Sequence, residues 1–168
     1  ITPPQWIGGR QEPPAVEFLP CKSLLLHLPT MQRRLPTPAL FATNALDFDP
    51  DTEANAPQAW LDFLHQLFDG DIQALDLLQE WFGYCLTADT SQQKMLMIVG
   101  ARGSGKGTIG RVLKKLVGRG KVCGPTTSSL AGNFGLQPLL GKTLAIVSDA
   151  RFSGENIVTV VERLLCIS

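Results

Sequence analysis

The chain has 168 residues, 44% hydrophobic and 18% charged, and its 15 basic and 15 acidic side chains give a formal net charge of zero. That composition is globular rather than disordered, the length suits one ordinary domain or a small domain with an appended module, and no apolar run approaches the ~20 residues of a membrane span. Zero net charge argues against a polyanion-binding surface only if it is uniform. It is not: residues 1–90 carry four basic residues (Arg10, Lys22, Arg33, Arg34) against twelve acids, a net of −8, whereas residues 91–168 carry eleven basic residues against three acids (Asp149, Glu155, Glu162), a net of +8.

Such asymmetry hints at units with different partners. The N-terminus lacks the basic-then-apolar pattern of a signal peptide, and the first residue is Ile1 rather than Met, which predicts a piece of a longer chain. Cys21, Cys85, Cys123 and Cys166 lie 64, 38 and 43 residues apart and only two histidines are present. No zinc site is expected, disulfides are unsupported, and reduced thiols in a cytoplasmic protein are the simpler expectation.

Residues 1–57 hold ten of the twelve prolines. Proline removes a backbone donor and fixes φ, so a proline-rich extended arm over 1–56 is predicted rather than helix. Within it, 16–19 (VEFL) and 22–28 (KSLLLHL) read as short strands separated by a turn at Pro20, and 41–48 as a third extended segment. A small helical domain is predicted over 57–90. Trp60, Phe63, Leu64, Leu67 and Phe68 form an amphipathic stripe, with Pro57 at the first helical position and Gly70 ending the helix. A second helix starts near Asp71 with Ile72, Leu75, Leu78, Trp81, Phe82 and Cys85 on one face. Residues 46–89 contain ten acids and no Lys or Arg. They read as a solvated acidic face or as a docking surface for a neighbouring subunit.

From residue 91 the pattern is α/β. Residues 94–100 (KMLMIVG) are a continuous apolar run ending in glycine, the pattern of a strand buried on both faces. Residues 108–117 predict a helix with Ile109, Val112, Leu113 and Leu116 inward, closed by Gly118 and Gly120. A short strand over 121–124, a second buried strand over 142–150 and a helix over 155–168 complete the reading.

The chemistry concentrates in Gly100-Ala101-Arg102-Gly103-Ser104-Gly105-Lys106-Gly107-Thr108, which fits the phosphate-binding loop G-x-x-x-x-G-K between a predicted strand and a predicted helix. The glycines allow backbone conformations closed to residues with a Cβ, so that successive amides can converge on an anion. Lys106 supplies a mobile point charge for the β- and γ-phosphates, and the following helix aims its positive end at them. The position after the lysine, normally a magnesium-ligating Ser or Thr, is Gly107. The Thr108 hydroxyl can instead serve as the metal ligand, reach the metal through water, or touch the α-phosphate.

Asp149 ends the second apolar strand 43 residues after Lys106, where such proteins place the acid that holds hydrated Mg²⁺ or polarises the attacking water. Alone, it would read as a cap for the next turn. Its neighbours are Ser148 and Ala150, so a second acid is missing; Glu155 is a distant alternative, better explained as a helix-start residue. The basic residues Arg102, Arg111, Lys114, Lys115, Arg119 and Lys121 read as a solvated face, a nucleic-acid stripe or a seam against the acidic helices. No aromatic lies in 108–133, which argues against base stacking there.

Beyond these motifs, residues 15–168 resemble phage and plasmid primase-helicases, the superfamily 3 helicases that include poxvirus-type primase-helicases. The segments that carry the resemblance are TPALFATNALDFDPD, WLDFLHQLF, LQEWFGYCLTADTSQQKMLMIVGARGSGKGT, SSLAGNFGLQPLLGKTLAIVSDARFSGEN and VVERLLCIS. The resemblance implies a partial P-loop NTPase (AAA+-like) core over 91–168, binding ATP and Mg²⁺ through residues 100–108 and Asp149. It also implies a homo-oligomeric ring, usually a hexamer, that moves on single-stranded DNA. In a ring, the acidic helices of one subunit would face the basic core of the next, a seam that salt should weaken. The family's DNA-contacting hairpin, sensor asparagine and arginine finger would lie beyond Ser168, so residues 1–168 alone would bind nucleotide without unwinding DNA. Two other readings stay open. One is a nucleotide-dependent assembly module without turnover. The other is an adenylate-kinase-like enzyme, against which stand the 99 residues before the loop and the few arginines after it.

Overall fold

The computed structural model describes residues 4–8, 12–51, 53–87, 89–148, 150 and 157–167. These form a mixed α/β structure with three small sheets and five α-helices among the described residues.

The proline-rich stretch is built from short antiparallel pairs. Strands β2 (Phe18–Pro20), β3 (Leu25–His27) and β4 (Gln32–Arg34) form a meander, with Phe18 opposite His27 and Leu26 opposite Arg33. Strands β1 (Gln5–Trp6) and β5 (Leu40–Phe41) pair separately. The expected strand over 22–28 contains β3, whereas that over 16–19 is strand only from Phe18, since Ala15–Glu17 form a 3₁₀ turn; Pro20 belongs to β2 and the turn follows it. The expected third segment departs from 41–48: only its first residue is strand, and the third strand of the meander is β4, whose polar sequence QRR hides its role. Leu19, Cys21, Leu26 and Leu46 are the buried centre of this region. Inside it, His27 is 7% exposed yet satisfied at both nitrogens, with Thr30 Oγ1 at 2.7 Å from Nδ1 and Glu17 Oε2 at 3.0 Å from Nε2.

Helix α1 (Gln58–Phe68) follows Pro57 and ends at Asp69 and Gly70, both at positive φ. Helix α2 (Ile72–Leu86) is capped by Asp71, whose side chain accepts from the Ala74 amide. Leu64, Leu75, Leu78, Phe82 and Cys85 are buried, as the stripes require, but Ile72 is 52% exposed because it sits in the first turn, ahead of the packed face. Helix α3 (Lys106–Val117) buries Ile109, Leu113 and Val117 against the same residues, so one core joins α1, α2 and α3.

Strand β6 (Val122–Cys123) runs parallel to β7 (Leu144–Ala145), with flanking bonds from the Thr143 and Ile146 amides to the Lys121 and Cys123 carbonyls. Leu144 joins the helical core. Helix α4 (Thr127–Ala131) starts in a capping box between Thr126 and Ser129, and helix α5 (Ile157–Ile167) sends Arg163 to the Leu130 and Gly132 carbonyls.

The expected buried strand over 94–100 does not form. The segment has no strand pairing, and Met97 and Val99 are 75% and 81% exposed. An apolar run becomes a central strand only where neighbouring backbone takes up its amides and carbonyls. Here the described parallel sheet consists of β6 and β7 alone, and only Leu96 of this run packs on the core. Of the second expected strand, over 142–150, Leu144–Ala145 forms and pairs with β6, and Asp149 lies outside the described residues.

Candidate nucleotide-binding site

Residues 100–108 make a tight turn leading directly into α3. The Ser104 amide donates to the Ala101 carbonyl at 3.2 Å, and the Thr108 and Ile109 amides both reach the Gly105 carbonyl, at 2.8 and 3.1 Å. Gly103 and Gly105 have φ of +81° and +79°, the left-handed region that a side chain disfavours. The helix begins two residues earlier than its apolar periodicity suggests, at Lys106, because Gly105 serves as its N-cap. The expected strand before the loop is absent, whereas the helix after it is present.

Lys106 folds back over the loop. Its ammonium donates to the Gly100 and Ala101 carbonyls, each at 2.8 Å, and to Ser104 Oγ at 3.3 Å. The structure therefore brings Gly100, Ala101, Ser104, Gly105 and Lys106 together around one positive charge at the start of a twelve-residue helix. A helix start leaves its first amides without intrahelical acceptors and carries a partial positive charge, so cation and dipole reinforce each other at one point. Arg102 and Gly103 form the exposed outer turn.

Thr108 points elsewhere. One residue past Gly107 is ~100° around the helix, and its hydroxyl accepts from Arg111 Nη2 at 2.8 Å rather than facing Lys106. Direct metal ligation by Thr108 would set the cation beside the Arg111 guanidinium. Asp149, the other expected metal ligand, and Glu155 lie outside the described residues. Among the described residues no group of three or more His, Cys, Asp or Glu side chains could hold a metal ion. The loop thus sets one ammonium and one helix start at the same point, with no set of metal-ligating side chains beside them among the described residues.

The basic residues do not form one stripe. Arg111, Lys115 and Arg119 are exposed. Lys121 instead turns inward, donating to Asn44 Oδ1 at 2.8 Å and to the Ala45 carbonyl, while Lys142 donates to the Gly120 carbonyl at 2.7 Å. Burial holds the Lys121 ammonium below the usual lysine range, with Asp47 opposing the shift.

Sequence patterning missed what lies beneath the loop. Gly105 sits on α1: a Cβ built there would be 2.9 Å from Phe63 Cζ and 3.5 Å from Leu67 Cδ1. Both residues belong to the predicted apolar stripe, which marks them as core but carries no sign that they touch the loop.

No protein-family model matches this chain, and no curated protein or solved structure matches it either. Among the described residues no helix is long and apolar enough to cross a membrane.

Proposed function

We propose that this chain carries the ATP-binding part of a superfamily 3-type replicative DNA helicase, in which ATP hydrolysis is coupled to movement along single-stranded DNA in an oligomeric ring. The observation that carries the reading is the loop at 100–108: a G-x-x-x-x-G-K sequence with Gly105 in the left-handed region, its lysine gathered over the turn, and a helix start behind it. This local arrangement is the one by which P-loop NTPases hold phosphates, and with the resemblance over 15–168 it supports an AAA+-like core within the mixed α/β fold.

On this reading the residues divide the work. Lys106 exchanges its two carbonyl acceptors for phosphate oxygens, converting a contact with neutral acceptors into an ion pair. Gly100, Gly103 and Gly105 let the backbone close around the phosphate chain, and α3 directs its dipole at it. Asp149 would hold Mg²⁺, whose charge would offset that of the transferring phosphoryl group. Asp149 then carries both the metal and water-polarising roles, since Ser148 stands where related helicases often place a second acid.

The test is ATP turnover by the complete gene product with and without single-stranded DNA. Stimulation by single-stranded DNA of at least several-fold is expected. Turnover indifferent to DNA contradicts the helicase reading; phosphoryl transfer to AMP would replace it with a kinase, and binding without turnover with a nucleotide-dependent assembly module.

A further inference from the structure

The loop rests on an aromatic wall that belongs to another part of the sequence. Phe63 of α1 stacks on Trp60, with ring centroids 5.5 Å apart and planes at 26°, and Trp60 stacks in turn on Phe82 of α2 at 5.9 Å and 28°. At the other end of this row, the Phe63 ring edge fills the space where a side chain of Gly105 would stand: Cζ would lie 2.9 Å and Cε2 3.2 Å from a Cβ at that position. Leu64, next to Phe63, is fully buried, and α1 is further fixed by the core it shares with α2 and α3. The ring is therefore backed by Trp60, which Phe82 backs in turn, and it stands where a side chain would project from Gly105, the residue that turns the loop into its helix.

We propose that Phe63 is a positioning residue for nucleotide binding, the floor against which the loop backbone at Gly105 is held in the conformation that receives phosphate. The inference rests on residues 100–108 being a phosphate-binding loop. Gly105 sits at φ +79° at the N-cap of α3. Any inward movement of that residue meets the Phe63 ring, and any outward movement opens a gap over an apolar surface, which favours refilling. Phe63 thus limits the loop to one seat without touching the nucleotide itself. It also gives the acidic helix pair a direct mechanical link to the phosphates: a shift at Gly105 on binding must displace Phe63, Trp60 and Phe82 as a packed row.

The test is a double-mutant cycle read by ATP affinity in calorimetry, using the wild-type chain, Phe63→Ala, Gly105→Ala and the double variant, with Lys106→Ala as the loop control. Phe63→Ala is expected to weaken ATP binding about tenfold. Gly105→Ala is expected to weaken it at least about a hundredfold, through both its backbone conformation and its collision with the ring. In the double variant the collision is gone, so adding Gly105→Ala to Phe63→Ala should cost at least about fivefold less than adding it to wild type. Phe63→Leu, which keeps apolar volume under the loop, serves as a second background where the alanine change unfolds the chain, and it should show the same non-additivity in smaller measure. A role in general stability alone moves melting temperature but leaves the cycle additive. Wild-type affinity in Phe63→Ala, or an equal cost of Gly105→Ala in both backgrounds, overturns the proposal while leaving the loop reading intact. Failure of the wild-type chain to bind ATP, or full binding by Lys106→Ala, overturns both.

Discussion

Cys85 shows how strongly single positions are set by their surroundings. It lies on the inner face of α2 beside Leu78 and Phe82, and burial pushes its thiol from the ordinary value of 9.0 to about 11. A group whose folded pKa is raised contributes stability that is fully present below the unfolded pKa and is lost as pH rises through the folded one. Stability in urea should therefore decline between pH 9 and about 11, and the decline should be shallower in Cys85→Ala. Identical pH slopes in the two proteins would contradict the assignment. Cys21 and Cys123 are also raised, first by burial, and all three thiols are free. Cys166 lies outside the residues whose side chains are described. Individual buried positions such as Leu64, Leu75 and Leu113 were legible because helical periodicity alone places them inward.

At the scale of elements, the contact between the arm and the segment after α3 turns on Lys121. It follows α3 in a 3₁₀ turn, Arg119–Lys121, and reaches across to Asn44 and Ala45, while Asp47 stands against Gly118 at the end of the same helix. Asn44 is 8% exposed and also donates to the Leu86 carbonyl at 3.3 Å, so one buried amide ties the arm to both α2 and the turn after α3. Lys121→Ala leaves the Asn44 and Ala45 oxygens without this donor and should cost about 1–3 kcal/mol of unfolding free energy. Unchanged stability would mean that water replaces the ammonium at no cost. The three longer helices of this region were legible, whereas the two long buried strands were not. The helices α1, α2 and α3 satisfy their own backbone, so caps and stripes in the sequence suffice to place them. Segments 94–100 and 142–150 need partners elsewhere in the chain, and an apolar run carries no information about whether a partner is beside it.

Across the whole molecule, the zero net charge resolves into two regions that meet. The acidic arm meets the basic region at Lys121 and Gly118, and the loop of the basic region sits on α1, which carries an exposed Asp62 and is followed by an exposed Asp69. The candidate site was legible as a motif, because a phosphate-binding loop is contiguous in sequence and its glycine and lysine spacing follows from local geometry. Its support was not, because Phe63 and Gly105 are 42 residues apart and their contact depends on how α1 and α3 cross.

The central claim is that residues 100–108 bind nucleoside triphosphate. Calorimetric titration of the wild-type chain and of Lys106→Ala with ATP tests it most directly. The account predicts saturable one-site binding by wild type and a loss of at least about a hundredfold in the variant, whose melting temperature should stay close to wild type because the ammonium contacts only the loop. Equal affinity in the two proteins, or no binding by the wild-type chain, would contradict it.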